Sequence, residues 1–308
     1  MATLPQIAVL GAGIFVKTQY IPRLAEISHL FCLKYIWSRS EESSRGAVEI
    51  AKQHFPGVEC KWGDQGLNDI VQDSSLIGTA VVLAGQVQVD ISLKLLKAGK
   101  HVIQEKPAAT SIPEIETALA SYKSVCTNPG LPIWAVAENY RFEPAFVESK
   151  KLVAGVGDMM NVQVIIEGSM NSSNPYFSSS WRRNFEGGFI LDMGVHFIAG
   201  LRMIIWRVVG SKGTVQVERG KVDGKHGYLV SLYSADGQCK STFHPFCGVH
   251  EELKFFIHDI VQANLKQGNG YEAEPRSSFV EGARDVAVLE AMLESGSKGG
   301  TLVNVKKF

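Results

Sequence analysis

The fold is decided by the stretch Ile7-Ala8-Val9-Leu10-Gly11-Ala12-Gly13, near the start of the chain. Four consecutive apolar residues indicate a buried β-strand, and a Gly-x-Gly turn follows them directly. In such a turn the first glycine permits a tight bend, and the second lets the backbone approach a pyrophosphate at the N-terminus of the next helix. Gly11, Gly13, Ile14 and Phe15 therefore predict a dinucleotide site.

The region around this turn alternates apolar runs of strand length with amphipathic segments of helix length. The predicted strands are Ile7–Leu10, Leu33–Trp37, Thr79–Leu83, His101–Gln104 and Ile133–Ala137, and the helices between them include Glu42–His54, Gln88–Ala98 and Pro113–Val125. This alternation is typical of a parallel sheet with helices on both faces. We predict a doubly wound, α/β Rossmann domain over residues 1–143.

Beyond residue 143 the pattern changes to clustered strands. Alternating or apolar runs lie at Met159–Ser169, Thr214–Glu218, Tyr228–Ser234 and Cys239–Phe243. They predict an α+β domain with a mostly antiparallel sheet over residues 144–308, for substrate binding and oligomerisation. The apolar segment Phe189–Trp206 contains Asp192, His196 and Arg202, so we predict a buried helix rather than a membrane span.

Composition narrows the class of ligand. The 308 residues are enough for two domains, and Lys plus Arg equals Asp plus Glu at 31 each, so no basic field attracts nucleic acid. Five scattered cysteines without a C-x-x-C pair indicate neither a disulfide framework nor a metal site. We expect a cytoplasmic protein with a small-molecule ligand, without a nucleic-acid or membrane partner.

Two features of the sequence modify the prediction. Val16 replaces the third glycine of the full fingerprint, which predicts a helix slightly farther from the strand or one that starts later. The second strand ends in Ser38-Arg39-Ser40 where an acid would hold the ribose of NAD. A guanidinium with two hydroxyls suits a 2′-phosphate, so NADP(H) is preferred and NAD(H) stays an alternative. Arg39 as a solvated residue at a strand end is the other interpretation.

Two clusters are candidates for catalysis. Glu105-Lys106-Pro107 ends a predicted strand where open parallel sheets bind ligands, and a partly dry cleft beside a cationic nicotinamide would favour proton transfer by Lys106. Asp192 and His196 lie four residues apart, so they share one helical face and the carboxylate could orient the imidazole as a general acid or base. A purely structural Asp–His pair is the alternative.

Together these segments resemble the glucose-fructose oxidoreductase, inositol dehydrogenase and MocA (GFO/IDH/MocA) family, whose signatures are the glycine turn, a Glu-Lys-Pro strand end and an Asp-x-x-x-His helix. The resemblance spans nearly the whole chain and includes Ala137–Phe142, Trp181-Arg182 and the closing helix Val280–Ser297. It implies an NAD(P)-dependent oxidoreductase acting on a sugar, cyclitol or dihydrodiol.

The same resemblance assigns residues to roles. It implies that Lys106, Asp192 and His196 are the catalytic residues, and that Glu105 and Lys106 contact the cofactor. It also implies that Trp181 and Arg182 line the substrate side. The proton of the carbinol would pass to His196 or Lys106, with Asp192 holding the imidazole.

The sequence departs from the family pattern in two places. Ala84–Gln88 replaces the segment where relatives often have a proline and a histidine. Only residues 197–207 separate His196 from Val208, which predicts a shortened second domain that lacks about two or three strands. A catalytically weak nucleotide-binding sensor or scaffold is therefore an alternative function, and a chain that folds stably only in its first domain is a third possibility. A homo-oligomer through the second sheet is also expected.

Overall fold

The structure is a computed structural model that describes residues 4–126, 132–165, 188–203, 206–265 and 271–308. The first half forms a six-stranded parallel sheet in the order β3-β2-β1-β4-β5-β6. Its strands are β1 (Gln6–Leu10), β2 (Cys32–Ser38), β3 (Glu59–Trp62), β4 (Leu76–Val81), β5 (His101–Glu105) and β6 (Trp134–Ala137). The doubly wound fold is confirmed, and the strand order reverses between β1 and β4, where such sheets bind ligands.

Five helices connect these strands, and the sequence prediction missed one βα unit. They are α1 (Ile21–Glu26), α2 (Glu41–Ala51), α3 (Gly63–Gln72), α4 (Gly85–Lys97) and α5 (Ile112–Val125). The missed unit is β3 with α3. Because the residues of β3 are half-buried or exposed, this strand lacks the continuous apolar run that marks the other strands, including the buried edge strand β6.

The second half contains the predicted antiparallel sheet, with five strands in the order β11-β10-β9-β8-β7. They are β7 (Met159–Gln163), β8 (Arg207–Gly210), β9 (Gly213–Val222), β10 (Lys225–Ser234) and β11 (Cys239–Pro245). Helix α6 (Pro144–Val153) covers one face, where Phe146 packs against Val215, Val217 and Tyr228. Every pair of neighbouring strands in this sheet is antiparallel.

Three further helices come from the second half of the chain and pack against the parallel sheet. They are α7 (Gly188–Met203), α8 (Gly248–Leu265) and α9 (Phe279–Ser297). Phe256 of α8 lies in the core beside β1, and Phe279 of α9 stacks on Trp134 of β6 with 3.8 Å between the ring centroids. The core of the parallel sheet therefore draws on both sides of the predicted boundary at residue 143.

Helix α7 confirms the helix that was predicted in the apolar segment around Asp192 and His196. Leu191, Val195 and Ile198 of this helix are buried in the same core as β4, β5 and α9. Among the described residues no helix is both long and apolar enough to cross a membrane. The two candidate side chains of α7 are therefore held by a helix that is anchored on the parallel sheet.

Candidate cofactor and catalytic cleft

A large cleft lies where the strand order of the parallel sheet reverses, with a volume of about 1380 Å³. Its lining begins at the glycine turn, passes Lys106 and His196, and ends on β9 of the second sheet. The volume exceeds the several hundred cubic ångströms of a typical drug-sized pocket. The cleft can therefore hold a dinucleotide together with a small substrate.

The glycine turn has the geometry that a dinucleotide needs. Gly11 has φ +132°, and a Cβ there would collide with the carbonyl oxygen of Val82. Its N–H donates to the carbonyl of Trp37 at 2.8 Å, which fixes the turn against β2. At Gly13 a Cβ would meet nothing within 4 Å, because the position faces the cleft. A pyrophosphate can approach the backbone of Gly13, so the turn fits the cofactor.

The helix after this turn begins at Ile14, and Ile14 and Phe15 line the cleft. A late start of this helix was one of the two consequences predicted from Val16, and it is not observed. The helix instead widens to a π-helix over Val16–Tyr20 before it continues as α1. Pro22 lacks the N–H of a regular turn, and the N–H of Ile21 instead donates to the carbonyl of Val16. The widened turn buries Tyr20 completely beneath the cleft.

The adenosine end of the cleft contains two of the three predicted residues. Ser38 and Arg39 line it, together with Ser43 from the first turn of α2. Ser40 instead caps α2, accepting a hydrogen bond from the N–H of Ser43. Among the described residues Arg39 has no carboxylate within ion-pair distance. Its guanidinium charge is therefore available to a ligand in the cleft.

Lys106 and Asp192 meet at the opposite end of the cleft. The Nζ of Lys106 donates to Oδ1 of Asp192 at 2.9 Å and to the backbone carbonyl of the same residue at 2.6 Å. Both side chains are largely buried, at 13% and 7% exposure. The ammonium has a third N–H beyond these two bonds. Lys106 is thus arranged as a hydrogen-bond donor, and proton transfer by this lysine stays a prediction.

The acid that holds His196 is Glu138, so the prediction that Asp192 orients this imidazole is wrong. Nδ1 of His196 lies 2.6 Å from Oε1 of Glu138. Although Asp192 shares a helix with His196, the salt bridge to Lys106 occupies its carboxylate. Among the described residues no group hydrogen-bonds Nε2 of His196, which lines the cleft. This nitrogen is free to face a substrate.

Glu138 is fully buried directly after β6. Burial opposes its ionisation, but His196, Arg141 and Lys106 outweigh that effect and lower the pKa of its carboxyl. The signal for this residue was available, because an acid at the carboxyl end of a parallel strand lies at the ligand-binding edge. The sequence pattern assigned Glu138 only to the domain junction, so its role was missed.

The loop after Glu138 is fixed from two sides. Tyr140 stacks on the imidazole of His196, with 5.0 Å between the ring centroids, and its hydroxyl accepts a hydrogen bond from Arg219 at 2.8 Å. Arg141 forms a fully buried salt bridge with Asp285 of α9. These contacts hold the Glu138–His196 pair in place and tie it to the second sheet.

Glu105, predicted to contact the cofactor, lies in the cleft wall beside Lys106. Its Oε1 accepts a hydrogen bond from the hydroxyl of Tyr20 at 2.8 Å. Trp181 and Arg182, predicted on the substrate side, fall outside the described residues. The described part of that side consists of residues from the second sheet and its flanks, namely Gln163, Trp206, Arg207, Gln216, Glu218 and Arg219.

Comparison with known proteins agrees with this geometry. Residues 6–125 match the GFO_IDH_MocA family model, described as an oxidoreductase family with an NAD-binding Rossmann fold. The matched segment contains the glycine turn, Arg39 and Lys106. The dinucleotide-binding part of the chain is therefore similar to that family over residues 6–125. The chain is an NAD(P)-dependent oxidoreductase, and its cleft is the place for a nicotinamide cofactor.

Three known proteins illustrate what the chain is similar to. Dehydrogenase FPY6 of Fusarium mangiferae is 29% identical over 361 positions, covering 97% of this chain and 99% of the relative. The scyllo-inositol 2-dehydrogenase (NADP(+)) IolW of Bacillus subtilis is 27% identical over 198 residues, covering 63% and 49% of the two chains. The structure of a levoglucosan dehydrogenase in complex with NADH and levoglucosan superposes with a TM-score of 0.73 at 18% identity, covering 99% and 100%.

These comparisons do not support the predicted shortening of the second domain. The levoglucosan dehydrogenase fold is matched from end to end. The alignment with FPY6 runs over 361 positions, more than the 308 residues of this chain, so that relative carries residues without a counterpart here. Where those residues lie does not follow from the alignment length. The absence of two or three strands after His196 stays a prediction.

Proposed function

We propose that the chain is an NADP(H)-dependent oxidoreductase that interconverts a CH–OH group and a carbonyl in a polyhydroxylated small molecule. The observation that carries the proposal is the pairing at one end of the cleft, where Lys106 binds Asp192 and His196 binds Glu138. Two polar groups with their own carboxylates converge there, which suits proton transfer to or from a substrate oxygen.

His196 is the proposed general base in oxidation. A carboxylate on Nδ1 fixes the tautomer with its proton there and leaves the lone pair on Nε2 for the substrate hydroxyl. As the carbinol proton moves to Nε2, the ring becomes an imidazolium, and Glu138 stabilises the new charge. In reduction the same imidazolium returns the proton to the forming alkoxide.

Lys106 is the proposed electrostatic partner. Its third ammonium N–H can donate to the same substrate oxygen, which carries increasing negative charge as its proton leaves. Asp192 holds the lysine through two acceptors, so the ammonium is oriented before the substrate binds. The nicotinamide ring, when bound, supplies the hydride acceptor or donor.

The preference for NADP(H) rests on Arg39 and Ser38. No acid follows β2 to hold a ribose 2′-hydroxyl, and the nearest carboxylate on α2, Glu41, pairs with Arg45. The named relatives divide between the two cofactors, since IolW is named for NADP(+) and the levoglucosan dehydrogenase was solved with NADH. The residues of this chain favour the phosphorylated form.

The substrate class rests on the size and polarity of the cleft and on the relatives. Gln163, Gln216 and Glu218 line its second-sheet side and can hydrogen-bond several hydroxyls of one molecule. The relatives are named for an inositol and for levoglucosan, both polyhydroxylated. Sugars, cyclitols and dihydrodiols are therefore the proposed substrates.

The test is a dehydrogenase screen of purified protein with NADP and NAD against sugars, inositols and dihydrodiols. We expect NADP-dependent turnover of at least one of them, and we expect Lys106→Ala to abolish it in a protein that stays folded. Normal NADPH binding without turnover across the panel would contradict the proposed activity and select the nucleotide-binding sensor instead.

A further inference from the structure

A second group of buried acids lies in the wall of the cleft, apart from the two catalytic pairs. It consists of Glu105 at the end of β5, Glu252 on α8 and Tyr20 on the π-helical turn. The exposures of Glu105 and Glu252 are only 8% and 2%, yet both line the cleft. Three separate elements thus bring two carboxyls and a phenol to one place.

Burial favours the protonated form of Glu252 in this group. Its Oε2 is buried and has no hydrogen-bond partner among the described residues. A carboxylate without partners in such a place is costly. Burial raises the pKa of Glu252 well above its usual range, and the negative charges of Glu105, Glu138 and Glu143 raise it further.

Glu105 carries the charge when the pair ionises. Burial raises its pKa to about 7, while Lys106 and the Tyr20 hydroxyl act in the opposite direction and Glu138 adds repulsion. Only Glu105 of the two acids has a phenol O–H donor and a neighbouring ammonium. The first proton to leave the pair near neutral pH therefore comes from Glu105.

The position of this acid relative to the dinucleotide follows from the fold. A Rossmann sheet binds one half of a dinucleotide on each side of its switch point. Arg39 lies after β2 on one side, so the strands β4, β5 and β6 receive the nicotinamide half. Glu105 ends β5 and lies beside Lys106 in that half of the cleft. The oxidised ring is cationic, whereas the reduced ring is neutral.

We propose that Glu105 sets the preference of the cleft between the oxidised and the reduced cofactor. This inference rests on the proposed function. As a carboxylate it attracts the cationic oxidised ring, and with its proton bound it loses this preference. Tyr20 and Lys106 stabilise the charged form, and protonated Glu252 keeps the second acid neutral. Binding of the oxidised cofactor therefore releases a proton from Glu105 where that proton is still bound.

The sign of the pH effect follows from this linkage. Because the oxidised cofactor binds the ionised form of Glu105 more tightly, its affinity rises as pH increases through the pKa near 7. The reduced cofactor lacks the ring charge and does not share this rise. The 2′-phosphate is common to both forms, so its own titration cancels in the ratio of their dissociation constants.

The experiment measures the Kd of NADP⁺ and of NADPH between about pH 5.5 and about pH 8.5 by calorimetry, without substrate. We expect the ratio Kd(NADP⁺)/Kd(NADPH) to fall about tenfold with rising pH, the change that one unit of pKa difference produces. Glu105→Gln should hold the ratio constant near its low-pH value. Tyr20→Phe removes one donor to the carboxylate, so the midpoint should move to higher pH.

Glu294→Gln is the matched control, because Glu294 is an exposed acid of α9 that pairs only with Lys298 among the described residues. It should reproduce the wild-type curve. A ratio that stays constant in the wild type, or that still falls in Glu105→Gln, would overturn this inference while leaving the proposed function intact. Failure of both cofactors to bind would overturn the proposed function and the inference with it.

Discussion

Ser38 and Arg39, at one end of the cleft, are neighbours in the sequence where β2 ends, whereas the other end joins side chains from three distant segments. Lys106 follows β5, Glu138 follows β6, and α7 supplies the remaining two. The function of residues that are neighbours in the sequence can be predicted from that one segment. A pairing between distant segments depends on how the helices pack, and here the packing places Glu138, not Asp192, on His196.

The largest expected effect tests this pairing at the catalytic end. Glu138→Gln keeps the shape of the side chain but removes the charge that stabilises the imidazolium, so kcat should fall by about 10²- to 10⁴-fold. The carboxylate of Glu138 can only accept a hydrogen bond from Nδ1–H, whereas the amide of glutamine can also donate one. The variant therefore no longer fixes the Nδ1–H tautomer of His196. Steady-state kinetics with the substrate found in the screen measure the loss.

Asp192→Asn is the matched comparison, since it changes the acid that the sequence assigned to His196. It should impair the orientation of Lys106 and lower kcat, while the Glu138–His196 pair stays in place. NMR spectra of the His196 imidazole in the two variants separate the pairs, and a tautomer that changes in Asp192→Asn but not in Glu138→Gln would contradict the two-pair arrangement.

The second prediction concerns the anchor of the catalytic loop. Asp285→Ala leaves the guanidinium of Arg141 buried without its carboxylate, so the free energy of unfolding should fall by about 3–5 kcal/mol. Glu148→Ala breaks an exposed pair with Lys151 and should cost about 0–1 kcal/mol. Urea denaturation of the two variants measures the difference, and equal losses would show that the buried pair does not hold the loop.

These pairings mark the limit of what the sequence predicts. The glycine turn, the parallel sheet and the α7 helix follow from local patterns, and all of them are confirmed. The β3–α3 unit was missed because the half-buried or exposed residues of β3 form no apolar run. The partner of His196 was missed because spacing along one helix says only which residues share a face, and Lys106 competes for Asp192 across 86 positions of sequence.

The third prediction compares the two glycines of the turn. Gly13→Ala adds a methyl group that meets no protein atom, so stability should be nearly unchanged while the Kd for NADPH rises at least about tenfold. Gly11→Ala puts a Cβ against the carbonyl of Val82 at a positive φ and should destabilise the fold itself. Thermal unfolding and NADPH titration separate the two. If the folded Gly13→Ala variant bound NADPH as tightly as the wild type, the pyrophosphate would not bind at this turn.

The smallest effect is expected at Ser40. Its hydroxyl caps α2, so Ser40→Ala should lower the free energy of unfolding by about 1 kcal/mol. If Ser40 acts only as this cap, the NADPH affinity of the folded protein should stay at the wild-type value. A large loss of affinity with unchanged stability would restore its predicted contact with the 2′-phosphate.

We propose that this cleft binds NADP(H) and recognises the 2′-phosphate through Arg39. Calorimetric titration of NADPH and NADH into the wild type and Arg39→Ala tests it most directly. A charge-assisted hydrogen bond contributes about 1.5–3 kcal/mol, so the wild type should bind NADPH about 10- to 100-fold more tightly than NADH, and Arg39→Ala should lose most of that preference. NADH binding as tight as NADPH in the wild type, or an unchanged preference in Arg39→Ala, would contradict the account.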